Sequence, residues 1–385
     1  MINKQEIPYW MALAHARGWN YEQINKLIAR IDYKESSSIE QFFNLSPNNW
    51  IAHFGLTKKE IDILENAKKE IPNYSFLAED LFAQGYEIIP INSPEYPKTL
   101  KENLGFKSPP ILYVKGNKNL LQEGSVAIVG SRDASDAALK FTDNIAKLAS
   151  EEHKVVVSGF ARGVDRQALD AALKYNGKSI IVLPQGITTF YSGFKQYYRQ
   201  IVEGNVLVIS TFFPKAKWSV QLAMARNSII YGLAKEIYVA ESSQRGGTWS
   251  GVMEGLRKMR KIHIRKPEPY EKNANDLLIE KGVIPVNFEG LPIVYESPFP
   301  EISMVREEAK KDELTLNSII FKILQGNMEM TSKQILKQIP KKTNPDWSAR
   351  KLTNYLKTKK EIDTLKNKKP LKFKLKSQGC QAKLN

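Results

Sequence analysis

The sequence predicts an α/β protein: a parallel sheet covered on both faces by helices, set between a small helical module and a basic C-terminal module. Three observations carry this prediction. From about residue 86 to residue 265, short β-rich apolar runs alternate with amphipathic helical stretches, the pattern of parallel strands joined by crossover helices. Before them, apolar residues recur only at three- and four-residue spacing, the helical period. After them, residues 331–385 hold 16 Lys and Arg against three acids, so this last seventh of the chain carries +13 of the +16 net charge.

Residues 1–75 read as a bundle of short helices over "YWMALAHARG", "NYEQINKLIARI", "SIEQFFN" and "TKKEIDILENAKKEI". Ser46 before Pro47 and Thr57 before Lys58 suit helix N-caps, and Glu60 completes a capping box with Thr57. Residues 76–290 form the α/β domain. Its strands are expected at "YEIIPI", "ILYVKG", "SVAIVGS", "KVVVSG", "SIIVLP", "NVLVIS", "EIYVA" and "KIHIR". Helices are expected at "DAALKFTDNIAKLASEE", "VDRQALDAALKY", "SVQLAMARNSIIYGLA" and "WSGVMEGLRKM". Residues 291–312 contain Pro292, Pro298 and Pro300 without a steady period and read as a linker. In residues 313–385, "LTLNSIIFKILQG", "TSKQILKQIP" and "SARKLTNYLKTKKEIDTL" read as three helices, and "KNKKPLKFKLK" as a two-stranded edge. Three helices and a basic ribbon are the order of a winged helix, which serves either DNA binding or protein docking.

Composition removes several classes of function. The single cysteine, Cys380, excludes a disulfide framework within the chain, and His15, His53, His153 and His263 have no metal-ligand spacing. No signal peptide or membrane-length apolar run is visible, so a soluble cytoplasmic protein is expected. Clustered positive charge points to a polyanionic partner, nucleic acid before membrane.

Four loops at strand ends carry the chemistry. In "VAIVGSRDASDAAL", Gly130 frees the backbone, Ser131 offers a hydroxyl and Arg132 a bidentate phosphate fork at a helix start. In "VVVSGFARGVDRQALDAAL", Gly159 and Gly163 would bring amides close to a ligand, with Arg162 between them. Asp165 reads as the cap of a helix starting at Arg166. Neither GxxxxGK[ST] nor GxGxxG is present, so neither ATP hydrolysis nor a dinucleotide fingerprint is supported. In "IVLPQGITTFYSGFKQYYRQI", Gln185 and Gly186 precede an aromatic and cationic segment containing Lys195, suited to base stacking and backbone contact or to core packing. The fourth loop pairs Arg226 and Asn227 on a helix with the Gly246, Gly247, Thr248 turn. No Ser-His-Asp or Cys-His set can be assembled. The chemistry on offer is phosphate binding without a catalyst.

Taken together, "YPKTL…PPILYVKGN", "AIVGSR", "SGFARGVD…A…AL", "RNSIIYGLA" and "E…GGT" resemble, in order, the motifs of the DNA-processing protein A (DprA/Smf) family. The resemblance implies an extended Rossmann-like domain between an N-terminal SAM-like module and a C-terminal winged helix. It also implies single-stranded DNA binding, homodimerisation, and loading of a RecA-type recombinase in DNA uptake and transformation, without catalytic turnover or cofactor. Carried over by motif, the DNA pocket would use Ser131, Arg132, Ser158, Gly159, Arg162, Gly163, Arg226 and Asn227. The chain departs from the family pattern in five places: Leu169 replaces a His, Ser228 an Arg, Ser192 a Pro, Gly246 a Ser, and "RKPEP" the usual Pro-Gly after the last strand. Two other readings of the fold remain. One is a phosphoribohydrolase-like enzyme, although Gly251 stands where its Glu should follow Thr248 and the nearest acid is Glu254. The other is a nucleotide-sensing defence module.

Overall fold

Alternation of buried side chains between the two sides of one sheet sets the architecture, seen here in a computed structural model. It describes residues 3–35, 38–293, 319–320, 323–325, 329–339, 348–358, 362–365 and 372–375. Residues 1–293 form one compact unit and 294–385 another.

Six helices open the chain: α1 (Ile7–Ala14), α2 (Tyr21–Glu35), α3 (Ile39–Asn44), α4 (Pro47–Phe54), α5 (Lys58–Lys69) and α6 (Ile71–Ala83). Ser46 caps α4 by accepting the Asn49 N–H, and Thr57 with Glu60 forms the expected capping box on α5. The helical run continues through α6, past residue 75. These helices share one apolar cluster with the sheet, extending from Ile7, Trp10 and Met11 to Val155, Val157 and Val208.

Strands β1 (Glu87–Pro90) and β2 (Ile111–Gly116) flank α7 (Lys98–Leu104). Next come β3 (Ser125–Val129), α8 (Asp136–Glu151), β4 (Val155–Ser158), α9 (Val164–Lys174) and β5 (Ser179–Val182). After α10 (Tyr191–Gln196) and α11 (Tyr198–Val202) follow β6 (Val206–Ser210), α12 (Val220–Leu233), β7 (Glu236–Val239) and α13 (Gly247–Arg257). The sheet closes with β8 (Ile262–Arg265), α14 (Asn275–Glu280) and β9 (Ile284–Val286). All eight expected strands are present; β9 is an addition.

The sheet order is β1-β2-β6-β5-β4-β3-β7-β8-β9. From β6 to β9 every pairing is parallel, whereas β1–β2 and β2–β6 are antiparallel, so the parallel sheet carries an antiparallel extension. The prolines of the sheet, Pro90 and Pro285, lie in its two edge strands, where a missing N–H is tolerated. Val126, Ile128 and Val156 join Phe141 and Ile145 of α8 in one cluster, while Ala127, Val129, Val155 and Val157 face the other side. With apolar cover on both faces of the sheet, β4, β5 and β6 are buried throughout.

The chain runs outward from β3 to β6 and then returns to place β7 on β3's other side. That reversal opens a crevice beyond the carboxyl ends of β3 and β7, where open α/β sheets bind ligands. One support of the crevice is Arg265, which is fully buried. Its guanidinium donates to Glu271 at 2.7 and 2.5 Å and its Nε to the Ala240 carbonyl at 3.1 Å. Asn275 donates to Ala240 and accepts the Ser242 N–H, anchoring the start of the β7–α13 loop.

In the second unit, β10 (Met330–Thr331), α15 (Ser332–Gln338), α16 (Ala349–Thr358), β11 (Ile362–Leu365) and β12 (Lys372–Leu375) enclose Ile335, Leu352, Leu356 and Phe373. Thr331 caps α15 as expected. Residues Ile362–Leu365, part of the stretch read from sequence as the third helix, are instead strand β11. β-branched Ile362 and Thr364 lie two residues apart and pair with Leu375 and Phe373 in an antiparallel ribbon. The expected two-stranded edge is thus a three-stranded antiparallel sheet of order β10-β12-β11, in which only β12 comes from the lysine-rich stretch. Most of the expected linker, Cys380 and nine of the 16 clustered cations lie outside the described residues. Among the described residues no helix is long and apolar enough to cross a membrane.

Removing one member of a buried ion pair leaves an uncompensated charge, so Glu271→Ala is expected to lower the unfolding free energy by about 3–5 kcal/mol. Urea denaturation at pH 7 measures this, and an unchanged midpoint contradicts it. Hydrogen bonding to Arg265 holds the Glu271 carboxyl below the usual carboxylate range. The pair's contribution is thus complete above the unfolded-state value of about 4.3 and is lost as pH falls through the lower folded-state value. The gap between wild type and variant should narrow in that acid window.

Candidate functional site

Three loops meet at the crevice and are tied together through their backbones. The Thr248 hydroxyl donates to the Gly130 carbonyl at 3.0 Å, joining the β7–α13 turn to the β3–α8 turn. The Val164 N–H donates to the Ser131 carbonyl at 3.2 Å, joining the β4–α9 turn to the same loop. Gly163 has a φ of +81°, and a Cβ there would collide with the carbonyls of Ser131 and Arg132. Its glycine is thus required by close packing of two loops as well as by φ. Ser135 caps α8 by accepting the Ala138 N–H and donates its hydroxyl to Glu241 at 2.5 Å.

Beneath these loops lies an ion pair. Arg226 of α12 donates through Nη1 to Asp165 Oδ2 at 3.2 Å, with the two side chains only 4% and 11% exposed. Asp165 therefore does not cap its helix. α9 begins at Val164, Gly163 holds the cap position, and Asp165 points inward to the guanidinium. Gly159 is correspondingly not a ligand-facing glycine: a Cβ there would fall inside the Arg226 guanidinium and against Asp165. The Arg226 Nε is buried without an acceptor from the protein. Burial, reinforced by the Asp165 carboxylate, pushes the neighbouring Tyr231 phenol up, so it stays neutral at physiological pH.

Above the pair opens a cavity of about 360 Å3 lined by Gly130, Ser131, Arg132, Asn227, Gly247 and Thr248, with Arg226 and Asp165 also in its wall. A cavity of about 390 Å3 adjoins it, sharing Arg132 and Arg226 and adding Arg162 and Gln185. Most of the expected residues are thereby brought together, but in different capacities. Arg132 and Arg162 are exposed cations, the latter ion-paired with exposed Asp133. Ser131 accepts the Asp133 N–H at 3.1 Å. Ser158 is buried, its hydroxyl donating to the Ile128 carbonyl at 2.7 Å, so it supports the strand end and does not reach the cavity. Gln185 donates to Thr189 within the β5–α10 loop, and Gly186, whose N–H donates to the Ala216 carbonyl and whose Cβ would strike the carbonyls of Phe213 and Pro214, fastens that loop to the β6–α12 loop.

Lys195 lies on the surface of α10 and lines neither cavity. Its aromatic segment divides in two, with Phe190 and Tyr197 buried and Tyr191 and Tyr198 exposed. Leu169 is buried in the core, and Ser228, which donates to the Ala225 carbonyl within α12, lines a separate cavity of about 310 Å3 beside Asn227 and Gly247, so neither departure faces the two cavities above. Sequence reasoning missed Arg245, Phe160 and Trp218, which line the cavities. Adjacency to Gly246-Gly247 could have found Arg245; Trp218, in an aperiodic loop, gave no signal. Gly251 packs so closely on the Tyr231 ring that a longer side chain has no room, and Glu254 is paired with Lys258 at 3.0 Å.

Comparison with known proteins places this geometry in context. The sequence profile described as "DNA recombination-mediator protein A" matches residues 87–287, just over half of the chain. The DNA processing protein DprA of Streptococcus pneumoniae is 35% identical over 153 residues, 40% of this chain and 53% of that protein. That of Bacillus subtilis is 26% identical over 227 residues, 56% of this chain and 76% of the relative. The chain thus spans about half the length of the first of these relatives. The X-ray structure of the S. pneumoniae DprA superposes with a TM-score of 0.60 at 26% identity, covering 72% of this chain and 94% of that one.

The ion pair under the cavity is open to a double-mutant cycle. Arg226→Ala strands a buried carboxylate and is expected to destabilise by about 3–5 kcal/mol, whereas the combined Arg226→Ala, Asp165→Ala variant should recover part of that loss. Strict additivity in thermal or urea unfolding would show that the two side chains act separately.

Proposed function

Since the chain belongs to the DNA recombination-mediator protein A family, we propose that it is a cytoplasmic single-stranded DNA-binding protein that loads a RecA-type recombinase and works as a homodimer. The observation that carries the DNA reading is the cation-rimmed crevice at the sheet's switch point. Arg132, Arg162 and Arg245 stand exposed around it, and loop amides and hydroxyls form its walls. Such a site suits phosphate oxygens, for which guanidinium forks and helix starts are the usual partners. The names of the relatives, DNA processing proteins and a recombination mediator, support the same reading.

Binding without turnover is part of the proposal. The carboxylates near the crevice are already engaged: Asp165 with Arg226, Asp133 with Arg162, Glu241 with Ser135. The position a phosphoribohydrolase would give to its Glu is Gly251, which has no room for one. We take the basic second unit, read as a winged-helix module, as an auxiliary contact for DNA or protein.

The exposed Arg162–Asp133 pair gives the test. A surface ion pair contributes little to stability, so a phosphate can replace Asp133 as the guanidinium's partner. Arg162→Ala is expected to weaken binding of a labelled oligothymidylate several-fold, and to reduce the slope of log affinity against log salt by about 0.7. Asp133→Ala should strengthen binding by freeing the arginine. Fluorescence anisotropy across a salt series measures both. Unchanged affinity in a folded Arg162→Ala variant would move the DNA site to the basic C-terminal residues.

A further inference from the structure

The cavity beside the switch point differs from its neighbour in having aromatic walls. Phe160, Phe190 and Trp218 line it together with Arg132 and Arg162. Two of the three rings are engaged in packing. Phe190 is 5% exposed and meets Phe160 edge-on at 4.6 Å, while the Arg166 guanidinium covers Phe160 at 3.8 Å. Trp218 is the exception, with half of its surface open to solvent. The indole is set apart from the chain's other exposed rings by its place at the mouth of a cationic cavity, where its apolar face is open to whatever enters.

The chain on both sides of Trp218 is fastened. Upstream, the Gly186 N–H donates to the Ala216 carbonyl at 2.8 Å, and Thr188 donates to the Pro214 carbonyl through its N–H and, at 2.6 Å, its hydroxyl. Downstream, Ser219 caps α12 by accepting the Leu222 N–H at 3.2 Å. The indole is thus presented on a frame tied two residues before it and one after it, which limits the ordering entropy a ligand must overcome.

We propose that Trp218 is a stacking platform for one nucleobase of a single DNA strand, whose adjoining phosphates lie against Arg132 and Arg162. A π-face accepts any base, and cations at the same cavity supply the charge complementarity that selects a nucleic acid over a neutral aromatic ligand. The inference rests on the DNA-binding reading above and adds to it the group that holds the base.

Affinities of wild type, Trp218→Phe and Trp218→Ala for an oligothymidylate, and for an abasic deoxyribose-phosphate oligomer of equal length, test it. Trp218→Ala should lose roughly 5- to 150-fold on oligothymidylate and nothing on the abasic strand. Trp218→Phe should retain most of the affinity, and the salt slope should not change. Equal binding of oligothymidylate by Trp218→Ala and wild type overturns the inference, as does an equal loss on both oligomers. Failure of the wild type to bind either oligomer overturns the proposed function itself. Should Trp218→Ala not fold, photocrosslinking wild type to a 5-iodouracil oligomer decides: a crosslink at Trp218 supports the platform, and crosslinks only elsewhere overturn it.

Discussion

The guanidinium of Arg226, buried against Asp165 beneath the Gly159 backbone, is the constraint on which the crevice depends. Taking both charges out of water costs several kcal/mol per ion, and their mutual attraction offsets this only with good geometry. The pair connects α12 to the first turn of α9 and is accommodated only because residue 159 has no side chain. Moving either helix would leave a charge unpaired in the protein interior. The loops above it, tied through Gly130, Ser131, Val164 and Thr248, therefore rest on a floor with one low-energy arrangement.

That floor divides the arginines into two kinds. Arg226 maintains shape, while Arg132, Arg162 and Arg245 stand in solvent where a polyanion can reach them. A preorganised wall with exposed cations suits the binding role proposed above. The Arg265–Glu271 clamp does for the β7–α13 loop what the Arg226–Asp165 pair does for the β4–α9 loop. Both strand-end loops flanking β3 are thus positioned by buried arginines.

Most of the fold was legible in the sequence because burial on both faces of a sheet writes itself as continuous apolar runs. The eight strands and the caps at Ser46, Thr57 and Thr331 follow from local pattern alone. Strand β9 did not, since "IPV" is three residues long and contains Pro285. The antiparallel direction of β1 and β2 left no mark either, because two-sided burial reads the same in both directions. "IDTL" continues the spacing of α16 and reads as helix, although its pairing with β12 decides otherwise. The site was legible as a set of loops but not as a set of roles. Asp165 looks like a cap to any local reading; its partner lies 61 residues away. Ser158 and Gly159 sit within a ligand-like motif yet serve the strand end and the ion pair.

The central claim is that single-stranded DNA is held at the switch-point crevice between the β3, β4 and β7 loops. Hydrogen–deuterium exchange of the full chain, with and without a saturating oligothymidylate, tests it most directly. The account predicts slowed exchange in the loops around residues 130–135, 160–164 and 244–248, which line the two cavities. Slowed exchange confined to residues 329–375, with those loops unchanged, would contradict it.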